Sequence, residues 1–263
     1  MSSSVINFSD GSSYEQYMGV WSRLVGDEFL DWLAPAPGLR WVDIGCGNGA
    51  FTDVLMQRCA PTSIHAIDPS EAQLSFARTR PGAQGAVFES GNAMTLSYPD
   101  QSFDAAVMAL VLFFVPDTTK GIAEMKRVVR PGGLIAAYVW DVLGGGLPVE
   151  PVDAGMREMG YPPAMPSSVN VSHMPNLIDA WTTAGLTAIK SRTITVRRDF
   201  ADFDAFWNAA ATSDRTQITL RAMGPGKVEV LRQTLRETLP AAPDGRLTMT
   251  ARANAISGEV PAN

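Results

Sequence analysis

The sequence predicts an α/β fold: a parallel sheet covered by helices on both faces. Three observations carry that reading. Strands alternate with helices throughout residues 39–140, the strands are short near-continuous apolar runs of the kind buried on both sides, and a glycine cluster stands between the first strand and the helix that follows it.

The elements follow from periodicity and punctuation. Between Tyr14 and Leu33, residues Tyr14, Tyr17, Met18, Trp21, Leu24, Val25, Phe29 and Trp32 keep roughly a 3.6-residue period, which predicts an N-terminal helix. Ala34-Pro35-Ala36-Pro37-Gly38 breaks it, Trp41–Ile44 forms a short strand, and helical spacing resumes from Phe51 to Cys59. Ser63–Ile67 is a second strand ending at Asp68, and Pro69 opens a helix through Arg80, with Ser70 and Glu71 suited to its first turn. Val87–Glu89 is a brief third strand and Phe103–Leu112 a long β-rich run. Thr118–Val129 is an amphipathic helix stopped by Arg130-Pro131-Gly132-Gly133, and Leu134–Trp140 is another apolar strand. Beyond Asp141 the pattern changes. Gly144-Gly145-Gly146 and a stretch containing Pro and Met, ending near His173, read as an insertion or lid. Asn176–Ala184 is a helix closed by Gly185, Ala188–Val196 a strand, Phe203–Ala211 and Val228–Leu239 two helices, and Arg246–Ile256 a final strand.

Composition narrows the function. With 263 residues, 46% of them hydrophobic, the chain can bury a full core and is expected to be one domain, 1–263, with a core of 38–140, 185–198 and 245–258. Net charge is −6 and no run of Lys or Arg forms the basic stripe a phosphate backbone requires, which argues against nucleic acid. The longest apolar run, Ala105–Val115, is too short to span a bilayer. The Ser-rich start, Met1–Asp10, has neither the basic nor the apolar region of a secretory signal, so a cytoplasmic location is expected. Cys46 and Cys59 lack metal-cluster spacing and His65 and His173 are too few and too far apart for a zinc site, so no metal is expected.

The informative segment is Asp43-Ile44-Gly45-Cys46-Gly47-Asn48-Gly49-Ala50. Glycines there permit a tight turn and let a ligand approach the backbone, which implies a nucleotide-like ligand. Gly45, Gly47 and Ala50 also fit the dinucleotide pattern G-x-G-x-x-G/A, so the turn alone leaves both readings open. Asp43 would put a carboxylate beside the ligand, which suits a cationic amino acid end better than a pyrophosphate. Asp68, at the end of the second strand, can accept both hydroxyls of a ribose, a feature common to both readings. Asn92 can donate to and accept from an adenine edge, and is equally suited to forming a turn.

These segments together resemble the class I S-adenosylmethionine-dependent methyltransferases, in the small-molecule branch akin to the ubiquinone and menaquinone biosynthesis methyltransferases. Val42–Gly49 is similar to that family's cofactor loop, Ala66–Ser70 to its ribose-binding strand end, Gly91-Asn92-Ala93 to its adenine-side segment, Ser97–Ala106 to the approach to its fourth strand, and Glu124–Leu134 to its helix-to-strand turn. The resemblance covers roughly residues 38–140. It implies a Rossmann-like three-layer sandwich with a mostly parallel seven-stranded sheet and an antiparallel last strand, for which Ala188–Val196 and Arg246–Ile256 supply the pair. It implies S-adenosylmethionine as cofactor and S-adenosylhomocysteine as product. Asp43, Gly45, Cys46, Gly47 and Gly49 would surround the methionine part, Asp68 and Pro69 the ribose, and Asn92, Ala93 and Met94 the adenine, with Leu110 completing the set. Family members often carry Asp where this chain has Asn92.

Methyl transfer from a sulfonium is an in-line displacement that needs alignment and exclusion of water more than a catalytic side chain. If the acceptor must lose a proton, His173 is the candidate base; His65, inside a strand, is read as structural. Leu110–Phe114 would line a pocket for a hydrophobic or aromatic small-molecule acceptor over the carboxyl ends of the strands. Tyr14, Met18 and Trp21 could close over the cofactor, with aromatic faces toward the sulfonium, while Tyr17 and Leu24 pack the helix. Segments 1–37, 141–184 and 199–244 would build the helical lid insertions and the acceptor site, in a monomer or homodimer. The competing functions are a noncatalytic cofactor-binding module and a nicotinamide-dependent oxidoreductase.

Overall fold

A computed structural model of the chain describes residues 18–212 and 214–262. Tyr14 and Tyr17 lie outside them. The first helix, α1 (Val20–Leu33), buries Trp21, Val25, Phe29 and Leu30, the stripe its periodicity predicts, and stops at Ala34, whose left-handed backbone caps it just before Pro35. The sheet comprises β1 (Arg40–Ile44), β2 (Ser63–Asp68), β3 (Val87–Ser90), β4 (Phe103–Ala109), β5 (Val129–Trp140), β6 (Thr187–Phe200) and β7 (Leu247–Glu259), in the order β3-β2-β1-β4-β5-β7-β6. Pairings among β1 to β5 are parallel. Those of β7 with β5 and with β6 are antiparallel. The chain thus winds outward from β1 to β3, returns to β4 on the other side of β1, and leaves a topological switch point between the carboxyl ends of β1 and β4.

The remaining helices are α2 (Ala50–Cys59), α3 (Glu71–Ala77), α4 (Thr118–Val128), α5 (Glu150–Glu158), α6 (Met174–Thr183), α7 (Phe203–Ala210), α8 (Asp214–Met223) and α9 (Pro225–Thr238). Phe29, Phe51 and Tyr138 meet as one aromatic cluster, with ring centroids 4.6 to 6.0 Å apart, and lock α1 and α2 onto β5. Such side chains bury large areas and dominate the energetics of a core.

Several local expectations need correcting. The run expected to be one strand through Leu112 stops at Ala109, because Leu110 takes a left-handed backbone, φ 61°, and Leu112–Phe114 coil into a 3-10 turn. The helix after β2 is shorter than expected: Ser70 is its cap, its side chain accepting from the Gln73 N–H, so Pro69 precedes the helix, which ends at Ala77. Arg130-Pro131-Gly132-Gly133 ends α4 but already belongs to β5, where the pairing with β4 shifts register. Helices α5 and α8 fall within the expected helical lid segments, at positions where the sequence pattern places no individual helix.

The carboxyl end of the sheet carries nearly all the added structure. The last β5–β7 pair is Trp140 with Ala253, whereas β6 and β7 stay paired to Phe200 with Leu247. A two-stranded ribbon therefore runs six residues past the parallel strands, about 20 Å, at the end where the glycine turn lies. Helices α7, α8 and α9 connect its two strands. The segment after β5 starts in a clasp: Gly144 N–H donates to Asp141 Oδ1 at 3.1 Å, and Arg252 Nη2 to Asp141 Oδ2 at 3.1 Å. It continues into α5, whose Gly155 lets Leu231 of α9 come so close that an added Cβ would lie 2.4 Å from the Leu231 Cδ1. The two excursions thus pack on each other as a helical cap.

Candidate functional site

The turn after β1 is built on three glycines with positive φ: Gly45 at 77°, Gly47 at 52° and Gly49 at 77°. Gly45 and Cys46 both donate their N–H groups to the Ile67 carbonyl, at 2.7 and 2.9 Å, pinning the turn to the end of β2. The reason for each glycine differs. A Cβ on Gly45 would sit 2.5 Å from Val111 Cγ1, and one on Gly49 would sit 3.0 Å from the Ala77 Cβ, so these two admit other parts of the protein rather than a ligand. Gly47 alone of the three has nothing within 4 Å of its added Cβ. The open face of the turn is therefore at Gly47, followed by the N-terminus of α2, where backbone N–H groups and the helix dipole gather.

Two carboxylates converge on this turn. Asp43 is fully buried; its Oδ2 accepts from Thr52 Oγ1 at 2.7 Å, while its Oδ1 has no hydrogen-bond partner. Burial pushes its carboxyl up to about 7 against the opposing pull of the Thr52 bond, and the negative charge of Asp68 adds to the rise. Asp68 accepts from the Gly47 N–H at 2.9 Å through Oδ2 and from the Ser70 N–H at 2.8 Å through Oδ1, so the turn and the start of α3 fix its orientation. Burial raises its carboxyl too, despite those two bonds. Burial, with the charges of Asp43 and Asp68, holds the Cys46 thiol well above its usual range, which leaves it an inert filler rather than a nucleophile. Two acids beside one open glycine make the site attractive to a cation and unfavourable to a pyrophosphate.

The other expected residues are placed unevenly. Asn92 is exposed and spends its side-chain carbonyl on the Met94 N–H, 2.8 Å, so its turn-forming role is the one realised. Ala93 and Met94, partly buried, pack against the core at the end of β3. Pro69 is exposed. Leu110 is 6% exposed, and its N–H donates to the Tyr138 carbonyl at 2.8 Å, an anchor for its left-handed corner at the end of β4. Met18 is partly buried at the head of α1. Trp21 is 0% exposed, with no accessible ring face, and so packs the helix like Val25 and Phe29. His173 stands exposed at the head of α6, and no hydrogen bond reaches its ring among the described residues. His65 pairs with Glu89 at 3.2 Å and packs edge-on against Tyr98 and Phe103, a structural place.

Some participants escape inspection of the sequence. Val111 roofs Gly45. A strap at residues 164–172 clips onto the turn after β4: Ser168 N–H donates to the Phe113 carbonyl at 2.9 Å, Ser168 Oγ to the Val115 carbonyl at 2.7 Å, and Ser167 Oγ to the Phe114 carbonyl at 3.0 Å. Serines in a loop predict turns, and nothing in their spacing reveals a partner more than fifty residues away. Among the described residues no helix is long and apolar enough to cross a membrane, and no group of three His, Cys, Asp or Glu side chains could hold a metal ion.

Comparison with known proteins agrees with this geometry. Residues 42–137 match a family model described as a methyltransferase domain. A demethylmenaquinone methyltransferase of Deinococcus radiodurans is 38% identical over 115 residues, 43% of this chain and 46% of that protein. The chloroplastic 2-methyl-6-phytyl-1,4-hydroquinone methyltransferase 2 of Oryza sativa subsp. japonica is 34% identical over 120 residues, 44% of this chain and 34% of the relative. The matches thus span half or less of these curated relatives. Among solved structures, the YcgJ protein of Bacillus subtilis superposes with a TM-score of 0.58 at 17% identity, over 90% of this chain and 98% of that one. A geranyl diphosphate methyltransferase in complex with S-adenosylmethionine gives 0.51 at 17%, over 90% and 84%. The [4+2]-cyclase SpnF gives 0.55 at 16%, over 92% and 82%. At such identities these superpositions establish the fold. Residues 42–137, which hold the glycine turn and paired aspartates just described, are thus similar to the class I S-adenosylmethionine-dependent methyltransferases.

Proposed function

We propose that this chain, as a single domain, binds S-adenosylmethionine at the glycine turn and transfers its methyl group to a small apolar or aromatic molecule held under the helical cap. The observation that carries the reading is the unpartnered, fully buried Oδ1 of Asp43 beside the open face of Gly47. A buried carboxylate oxygen without a donor is costly, and a cationic α-amino group is the kind of donor that offsets the cost. In this reading Asp43 holds the amino group, and the Gly47 face passes the methionine chain. Asp68, already oriented by two backbone N–H groups, keeps a free lone pair on each oxygen for a ribose hydroxyl. The segment Asn92-Ala93-Met94 would border the adenine.

S-adenosylmethionine, when bound, supplies an electrophilic methyl group on a sulfonium. The chain's own contribution is alignment and dryness: Leu110 to Phe114 form an apolar wall at the switch point, and the strap and cap exclude water above it. No side chain is assigned as a base. His173, exposed at a helix head, gains no support from its surroundings. The relatives that methylate quinone-type rings make a prenylated 1,4-hydroquinone the first acceptor to try. A second reading, cofactor binding without methyl transfer, draws on the neighbouring cyclase, a protein of this fold named for another reaction.

The test is calorimetric titration with S-adenosylmethionine, S-adenosylhomocysteine and NAD in parallel, on the wild type and on Asp68→Ala. Micromolar binding of the first two, silence from NAD, and a loss of about 2 kcal/mol in the variant are expected. NAD binding alone, or unchanged affinity in a folded Asp68→Ala protein, would overturn the assignment.

A further inference from the structure

The cap contains a second fully buried aspartate that the reading above leaves unused. Asp153 lies on the inward stripe of α5, with Val152 and Met156, and is 0% exposed. Its Oδ2 accepts from Arg215 Nη1 at 2.6 Å, and its Oδ1 has no hydrogen-bond partner. Arg215, on α8, also donates from Nε to the Ala164 carbonyl at 2.6 Å, which is where the strap begins. Its Nη2 makes no hydrogen bond among the described residues. The pair therefore ties together α5, α8 and the strap.

A buried ion pair stabilises a protein only when its remaining lone pairs and protons are satisfied, and an apolar pair of the same shape would pack this cap as well or better. Here the remaining lone pairs of Asp153 are unsatisfied. The pair's position gives a reason. Ala164 and Ser168 are four residues apart, hence at most about 14 Å, and Ser168 is clipped to the turn that roofs Gly45. The unsatisfied carboxylate is thus linked, through Arg215 and the strap, to the turn that follows β4.

We propose that Asp153 is the specificity-determining polar anchor of the acceptor site, its Oδ1 accepting a hydrogen bond from a hydroxyl or amine on the head group of an otherwise apolar acceptor. Arg215 is the positioning residue that holds the carboxylate toward it. This inference rests on the methyltransferase reading above. It names the acceptor class as one with a hydrogen-bond donor on its head group, in contrast to a quinone or ether that only accepts.

The experiment uses the full chain saturated with S-adenosylhomocysteine and titrated anaerobically with a geranylated 1,4-hydroquinone and with the matching quinone, which differ in donor capacity and little in shape. The wild type is expected to bind the hydroquinone about tenfold more tightly, as one charge-assisted hydrogen bond would give. Asp153→Asn, with its oxygen kept on Arg215, presents an N–H where Oδ1 stood, so the preference should invert while affinity for S-adenosylhomocysteine stays within about twofold. Should that variant fail to fold, Arg215→Lys keeps a cation beside Asp153 but loses the fork, and should weaken hydroquinone binding selectively. A wild type with no preference, or one that binds neither ring, sinks the anchor alone, as does a preference that survives Asp153→Asn. Failure of S-adenosylhomocysteine to bind the wild type sinks the methyltransferase reading and the anchor with it.

Discussion

Asp43 and Asp153 are both fully buried, and each has one oxygen hydrogen-bonded and one unpartnered, yet they were built in different ways. Asp43 takes its partner, Thr52, from nine residues along, within a single strand–turn–helix unit, and the partner is neutral. Asp153 takes a charged partner 62 residues away, in the other excursion. The difference teaches what each region depends on. The core site is assembled by local backbone geometry and tolerates a neutral donor because Asp43 can hold a proton. The cap site exists only because two insertions fold onto each other, and its charge is compensated only while they do.

Four changes probe that contrast. The largest effect is expected from Arg215→Ala, which strands a buried carboxylate and should destabilise the cap by about 3–5 kcal/mol. Limited proteolysis should then cut within 141–184 and 214–244 while the core resists. Cleavage no faster than in the wild type would mean that Arg215 does not hold the cap. Next, Gly45→Ala forces a side chain into a left-handed turn and onto Val111, a cost on the order of 3 kcal/mol in denaturant unfolding, whereas Gly47→Ala meets open space and should cost about 1 kcal/mol. Equal losses from the two would contradict the division of labour inside the turn.

The third is a pH dependence. Because burial raises the Asp43 carboxyl to about 7 in the folded chain, the folded state holds this proton more tightly than the unfolded one. Its contribution to stability is therefore full below about pH 4 and is lost as pH rises to about 7. Asp43→Asn should flatten that part of the stability profile. An unchanged slope would mean that Asp43 is ionised throughout. The smallest effect is expected from His173→Ala, an exposed helix-head residue: under about 0.5 kcal/mol in stability and no change in affinity for S-adenosylhomocysteine. A large loss of transfer activity with intact folding would restore His173 as a base.

The same contrast explains what could be read from the sequence. From β1 to the turn at Arg130, the glycines, Asp43 and Asp68 lie within short strand–turn–helix units whose geometry follows from adjacent residues, so spacing predicts their placement. Local signals fail where a residue departs from its own preference. Leu110 has no propensity for a left-handed backbone, and it adopts one because the core and the Tyr138 carbonyl hold it there, so the strand appears longer in the sequence than it is. Helix α5 had a legible stripe, Val149, Val152 and Met156, with Pro151 at a position helices accept, but Gly155 in its middle obscures it until Leu231 is seen to need the space. Helix α8 has only Ile218, Leu220 and Met223 as large apolar side chains, too few to set a period. The ribbon that carries the cap could not be foreseen either, since the length of β6 beyond Val196 depends on pairing with β7 across fifty residues.

Val111 fills the space above Gly45, while the residues immediately after it carry the strap. One short turn is consequently a wall of the glycine site and the footing of the cap. In the proposed reading, a guest that displaced the strap would also move that wall, and a cofactor that tightened the wall would also tighten the footing. Thermodynamics makes the exchange symmetric: the factor by which one occupant alters the affinity of the other is the factor it receives back.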